Sequence, residues 1–222
     1  MGIVSNTLDQ YNLNNDYGVM AQDRTHILNF AYSFVLPSPA HQRLVAGVVN
    51  GWQLSGVTQL ESGPNLSALT SENFGANYGQ ALLSNGFAVS NASILGTTDL
   101  QLNPVVTCNP IANLQPHQFV NGACFGLPSA GHYGPTVLPA YYGPWFFNSD
   151  LGLFKNFQIR ESMKVQFRLD GYNFLNHPLW SFNGTNLSLV YNSAGQQTSS
   201  NFGYTTEKQG NPIVQLAVKF FF

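Results

Sequence analysis

From Ile213 to Phe222 the chain alternates. Val214, Leu216, Val218, Phe220 and Phe222 fall on one parity, and Gln215, Ala217 and Lys219 on the other, with Phe221 the exception. A period of two predicts a β-strand over 212–222 with one apolar and one polar face. The same alternation predicts a strand over 25–36, where Leu28, Phe30, Tyr32, Phe34 and Leu36 oppose Asn29, Ala31 and Ser33. Over 51–62, Trp52, Leu54, Gly56, Thr58 and Leu60 oppose Gln53, Ser55, Gln59 and Glu61. Over 146–159, Phe147, Leu151, Leu153, Phe157 and Ile159 oppose Asn148, Asp150, Gly152 and Asn156, with Lys155 interrupting the apolar parity. Over 164–175, Val165, Phe167 and Leu169 oppose Gln166, Arg168, Asp170 and Tyr172. Residues 1–8 read as the end of one more strand, which brings the expectation to about six.

The connections alternate in length. Pro37-Ser38-Pro39 stops one strand, and Arg43–Asn50 reads as irregular or as a short strand start. Arg160-Glu161-Ser162-Met163 is a short turn that makes a hairpin of its two strands. By contrast, 9–24, 63–145 and 178–211 read as polar loops rich in Gly, Pro, Asn and Ser. Short turns on one side and long loops on the other are the pattern of an antiparallel transmembrane β-barrel, whose apolar face meets lipid and whose polar face lines the lumen. Tyr141, Tyr142, Trp145, Phe146 and Phe147, at a loop–strand junction, are expected to form part of an interfacial aromatic girdle. The alternative is a secreted β-rich binding or structural module that stacks ligands on Tyr141, Tyr142 and Trp145. Detergent dependence separates the two.

Composition suits a barrel whose strands alternate, and an uncharged secreted β-sandwich also fits it. Charged residues are 8% of the chain, against roughly 25% in a soluble domain. Mean hydropathy is nonetheless -0.06: Asn, Gln, Ser, Thr and Gly replace the charges, and no apolar run of about 20 residues is present to make a membrane helix. A net charge of -2 gives no electrostatic case for nucleic acid. Met1 is not followed by a signal peptide, and strand-like sequence starts at Gly2-Ile3-Val4, so a mature chain, a fragment or a truncated reading frame is expected.

Candidate chemistry is sparse. Cys108 and Cys124 lie in one Gly/Pro/Asn-rich stretch and either close a disulfide in an oxidising compartment or stay free. Asn12, Asn14 and Asp16 have the spacing of a calcium loop, but Tyr17 stands where Gly is needed and no Glu closes the motif. The five His are scattered. No phosphate loop, H-E-x-x-H or G-x-S-x-G is present, so no enzyme, metal or cofactor is expected. The polar positions Asp150, Gln166, Arg168, Asp170 and Lys219 are expected to face the lumen, with the two carboxylates paired to Arg168 and Lys219 across strands.

Five segments in order carry a resemblance: Asp23-Arg24-Thr25-His26 before a strand ending Leu36-Pro37; Gly51-Trp52-Gln53-Leu54-Ser55-Gly56 leading to Ser62-Gly63-Pro64; Asn148 to Phe157; Phe167-Arg168-Leu169-Asp170-Gly171-Tyr172-Asn173-Phe174-Leu175-Asn176-His177-Pro178; and Phe202-Gly203 with Gly210-Asn211-Pro212. Together they resemble the C-terminal β-barrel part of TonB-dependent outer-membrane receptors, the Oar-like group with a carboxypeptidase-regulatory-like domain. That resemblance implies import of a bulky nutrient across the outer membrane of a Gram-negative bacterium, with the long loops, including any Cys108–Cys124 bridge, capturing substrate. It also implies several partners: outer-membrane lipid, the remaining barrel and plug of a parent protein, TonB through parts that are N-terminal to this chain, and the barrel-assembly machinery. The last would act through the C-terminal strand (Val214, Leu216, Val218, Phe220, Phe222), whose end would be periplasmic. The family closes about 22 strands around a plug, so six strands are expected to be a fragment or one piece of a larger assembly.

Overall fold

The computed structural model describes residues 12, 14, 17–74, 78–98, 100, 102–134, 138–183 and 186–222. The expected strand over 1–8 and Asp16 of the calcium-like spacing lie outside them. The elements are β1 (Ile27–Val35), α1 (Arg43–Val49), β2 (Trp52–Glu61), α2 (Leu66–Phe74), α3 (Asn91–Leu95), β3 (Val105–Val106), β4 (Phe125–Gly126), β5 (Phe146–Arg160), β6 (Met163–Tyr172), β7 (Leu179–Ser181), β8 (Glu207–Gln209) and β9 (Ile213–Phe221). No described helix is long and apolar enough to cross a membrane.

The chain divides into two compact units. The sheet unit comprises Thr25–Glu61, Trp145–Leu179 and Lys208–Phe222. Its five-stranded sheet is antiparallel and open, in the order β1-β2-β5-β6-β9. The register carries the alternation across all five strands. Phe30 pairs with Thr58 and Thr58 with Ser149; Leu54 pairs with Leu153, Leu153 with Leu169 and Leu169 with Leu216. One face therefore collects Leu28, Phe30, Phe34, Leu54, Leu153, Phe167, Leu216 and Val218. The other collects Asn29, Ser55, Gln59, Asp150, Arg168, Asp170, Gln215 and Lys219. Between Gln158 and Arg160 the register shifts, which puts Ile159 in a bulge before the turn at Glu161-Ser162.

The loop unit comprises residues up to Arg24, Ser62–Pro144 and Trp180–Glu207. Segments that lack periodicity fold here around a real core: Leu66, Phe74, Leu102, Val120, Phe125, Tyr141, Leu189, Tyr191 and Phe202 are almost inaccessible. Edge-to-face rings join distant stretches, Phe74 to Tyr191 at 6.0 Å and Phe125 to Phe202 at 5.6 Å. Backbone bonds do the same, from Gln80 N–H to the Tyr191 carbonyl (2.9 Å) and from Phe119 N–H to the Gly203 carbonyl (2.8 Å). The stretch 63–145 is thus not a loop in the ordinary sense. Its elements are short because tertiary contacts, rather than periodic local pattern, hold them. The stretch 43–50, expected to be irregular or a short strand start, instead forms α1 over Arg43–Val49 with Asn50 as its C-cap.

Burial pushes the phenol of Tyr78 up from 10.0 to about 12, and those of Tyr141 and Tyr191 higher still. A folded-state pKa above the unfolded one means that the neutral phenols stabilise the loop unit fully below pH 10.0. That stability is lost as pH climbs through about 12. We expect near-ultraviolet dichroism of the loop unit to collapse in this window, together with a late, cooperative tyrosinate absorbance change. An absorbance change already complete around pH 10.0, the ordinary phenol value, with no late step, would contradict it.

Candidate functional site

The polar face of the sheet unit carries a concavity of about 270 Å³, lined in part by Ala31, Ser55, Asp150, Arg168, Asp170 and Tyr172. A glycine makes room for it. Gly152 lies between Ser55 and Asp170 in the register, and a Cβ there would come within 2.8 Å of the Asp170 carboxylate. With that space open, Asp170 leans over β5 and is buried, and Arg168 Nε donates to both its oxygens, at 2.8 and 2.6 Å. Asp150 on β5 accepts from Asn148 Nδ2 (3.1 Å) and from the backbone N–H of Asn173 (2.8 Å).

Asn173 ties the site to its surroundings. It has φ +45°, and asparagine tolerates this left-handed conformation better than most residues. Its side chain donates to the His177 carbonyl (3.0 Å) and the Gly210 carbonyl, and accepts from His177 N–H (3.0 Å). One side chain thus joins the ends of β6 and β9. Replacing Asn173 with Ala removes these bonds and strains the backbone. We expect a loss of about 2 kcal/mol, read as a lower denaturant midpoint in detergent, with Asn173→Asp recovering little because a carboxylate has no donor for the two carbonyls.

The positions expected to face the lumen do share one face. Gln166 donates to Asn156 across the strands at 3.0 Å and pairs in register with Lys219. The expected ion pairing across strands is not what forms. The described residues contain one ion pair, Arg168–Asp170, which runs along β6. Arg168 has Phe154 and Ala217 as strand neighbours, neither an anion, so its partner is the residue two positions on. Asp150 is held by amides instead.

The expected aromatic girdle splits. Tyr141 is not on a belt: it is buried in the core of the loop unit, edge-on to Phe125 at 6.1 Å. Its carbonyl accepts from Leu66 N–H at 2.9 Å, and this pairing fixes the strand-like segment beside α2. Tyr142 and Trp145 are exposed. Phe147 stands on the apolar face with its ring against His177 at 5.1 Å, and Phe146 on the polar face. Cys108 and Cys124 are bonded to each other in the loop unit. In β9, Val214, Leu216, Val218 and Phe220 share the apolar face and are exposed, as is Phe222 beyond the strand. Among the described residues, no three His, Cys, Asp or Glu side chains are grouped as metal ligands.

One contrast decides what the apolar face is. Every fully buried apolar side chain among the described residues belongs to the loop unit. The sheet keeps its apolar residues outside: Leu216 is 80% exposed and Val214 70%. A family model for the outer membrane beta barrel domain matches residues 2–216. The chain belongs to that family. No curated protein and no solved structure matches it significantly. An outer-membrane β-barrel domain needs its apolar sheet residues turned outward, because the solvent there is hydrocarbon. Sequence reasoning missed Lys155, which stands on the apolar face yet is 3% exposed. Its ammonium donates to the Asn50 carbonyl at 2.6 Å and lies over the rings of Trp52 (5.7 Å) and Phe157 (4.9 Å). The parity break at 155 between Leu153 and Phe157 was the available signal.

Proposed function

We propose that this outer-membrane domain is the receptor and barrel-wall part of a TonB-dependent transporter, with the loop unit outside the cell as the substrate-capture element. The observation that carries the reading is the connectivity. The chain leaves the sheet for the loop unit at the end where Ile27 pairs with Glu61, Glu61 with Phe146 and Tyr172 with Ile213. All the long connections join that one end, and they fold together around a disulfide-bonded core. The five ordered motifs of the transporter family support the same assignment. In this reading the end with α1 and the Glu161-Ser162 turn is periplasmic, the apolar face meets lipid, and Asp150, Gln166, Arg168, Asp170 and Lys219 line the lumen. Further strands, a plug and the contact to TonB come from the parent protein, and β9 is the strand offered to the assembly machinery. Both carboxylates of the concavity are committed, Asp170 to Arg168 and Asp150 to amides, which supports a polar wall rather than a catalytic pair. A polar wall of this kind passes or weakly holds hydrated solutes.

Genetics in the source bacterium tests the transport assignment. Deleting this gene, deleting tonB and deleting both are expected to give the same growth defect on the relevant nutrient. A double deletion that is worse than either single one would overturn the TonB assignment.

A further inference from the structure

The connection between β1 and β2 holds a feature that the transport reading leaves unused. In α1, Leu44, Val45, Val48 and Val49 fall on one helical face and all are exposed, Leu44 at 88%. An apolar helix this short has no intrinsic stability, so something fixes it. Asn50 closes the connection by two bonds to the backbone of Ala40, at 3.1 and 2.8 Å. Trp52 Nε1 donates to the Val48 carbonyl at 2.9 Å, and Lys155 reaches the Asn50 carbonyl from β5. The helix is thus pinned at its C-terminal end to two strands and presents its apolar side outward.

Charge is distributed to match. Of the 8 Lys and Arg, Arg43, Lys155, Arg160, Lys164 and Lys219 lie in α1 or toward this end of the strands. Among the described acidic residues only Glu161 lies there. Arg43 and Arg160 are exposed, whereas Lys164 and Lys219 lie at this end on the polar face, Lys164 with its ammonium 4.8 Å from the centre of the Phe221 ring. Apolar side chains continuous with a lipid-facing sheet through Trp52, bordered by cations, match the acyl–headgroup boundary of a bilayer.

We propose that α1 is a membrane-interface foot. Its apolar face lies among the upper acyl chains of the adjoining leaflet, and Arg43 and Arg160 bind anionic phospholipid headgroups. Lys155 positions the foot by holding Asn50, and the whole fixes how deep the sheet sits. This rests on the outer-membrane reading, and the test separates the two.

No cysteine is free, so one introduced thiol is unique. Leu44→Cys and, as a control on the apolar sheet face, Phe30→Cys carry an environment-sensitive fluorophore in the full chain reconstituted in phosphatidylcholine vesicles with roughly one part in four phosphatidylglycerol. Leu44 is almost fully exposed, so the fold loses no packing. We expect both labels to be shielded from aqueous iodide. We also expect the label at 44 to be quenched at least about twofold more by spin-labelled phosphatidylglycerol than by spin-labelled phosphatidylcholine. That preference should disappear in a chain also carrying Arg43→Gln and Arg160→Gln. A lipid-shielded label at 30 with a water-exposed label at 44 overturns the foot and leaves the outer-membrane sheet standing. Water exposure at both positions overturns both. Equal quenching by the two lipids at 44 overturns the anionic-headgroup assignment.

Discussion

Replacing Gly203 with Ala is expected to unfold the loop unit. Gly203 has φ +79°, and a Cβ there would overlap the Val120 carbonyl oxygen. Gly203 is also a backbone junction: its N–H donates to the Asn186 carbonyl at 2.7 Å and its carbonyl accepts from Phe119 N–H at 2.8 Å. The side chain therefore cannot be accommodated by rotating a neighbour. Either the backbone leaves its left-handed conformation and both bonds break, or Val120, which is fully buried, moves out of the core. Strain of roughly 1–2 kcal/mol for the conformation adds to the lost bonds and core packing, so the total loss exceeds about 4 kcal/mol. Limited proteolysis of the full chain in detergent reads it out. Cleavage within 78–134 and 186–205 should become rapid while 27–61 stays protected. A cleavage pattern like that of the parent chain would mean that this turn does not hold the core.

Lys155→Glu is the second large effect. The ammonium is buried on the apolar face with one carbonyl and two ring faces as its surroundings, all electron-rich. A carboxylate in the same place is repelled by each of them and loses its water. The expected cost is about 3–5 kcal/mol, read as a fall in denaturant midpoint. Lys155→Met is the informative control. It keeps the unbranched stem between Trp52 and Phe157 and gives up the charge together with its desolvation cost, so it should change stability by less than about 1.5 kcal/mol. If Met costs as much as Glu, the bond to Asn50 matters more than the charge.

The sheet was legible in the sequence because its pattern is local. Each strand alternates by itself, so Val214 to Phe220 or Val165 to Leu169 announce a face without reference to any partner. The outer-membrane setting was legible for the same reason, since the apolar parity and the scarcity of charge are both visible in one dimension. The loop unit was not, because its core joins residues such as Leu66, Tyr141 and Phe202 that lie far apart in the chain, in stretches with no period of their own. Tyr141 was misplaced on a girdle for this reason: an aromatic cluster at a junction reads alike whether its members point to lipid or to a core. The polar site was half legible. The positions on its face followed from parity, but the pairing of Arg168 with Asp170 depended on the space left by Gly152 on the neighbouring strand. In α1, the spacing Leu44, Val48 and Val45, Val49 was present, but its seven residues are too few for periodicity to distinguish helix from strand.

In the arrangement we propose, the strands cross the outer membrane with the loop unit outside the cell and the α1 end inside. Thiol labelling on intact cells tests it most directly. With both native cysteines bonded to each other, Phe87→Cys in the loop unit and Ser162→Cys in the turn between β5 and β6 each provide a single accessible thiol on an exposed side chain. A membrane-impermeant maleimide is predicted to label position 87 on intact cells, and position 162 only after the outer membrane is opened. Labelling of 162 but not 87 on intact cells, or of both alike, would contradict this arrangement.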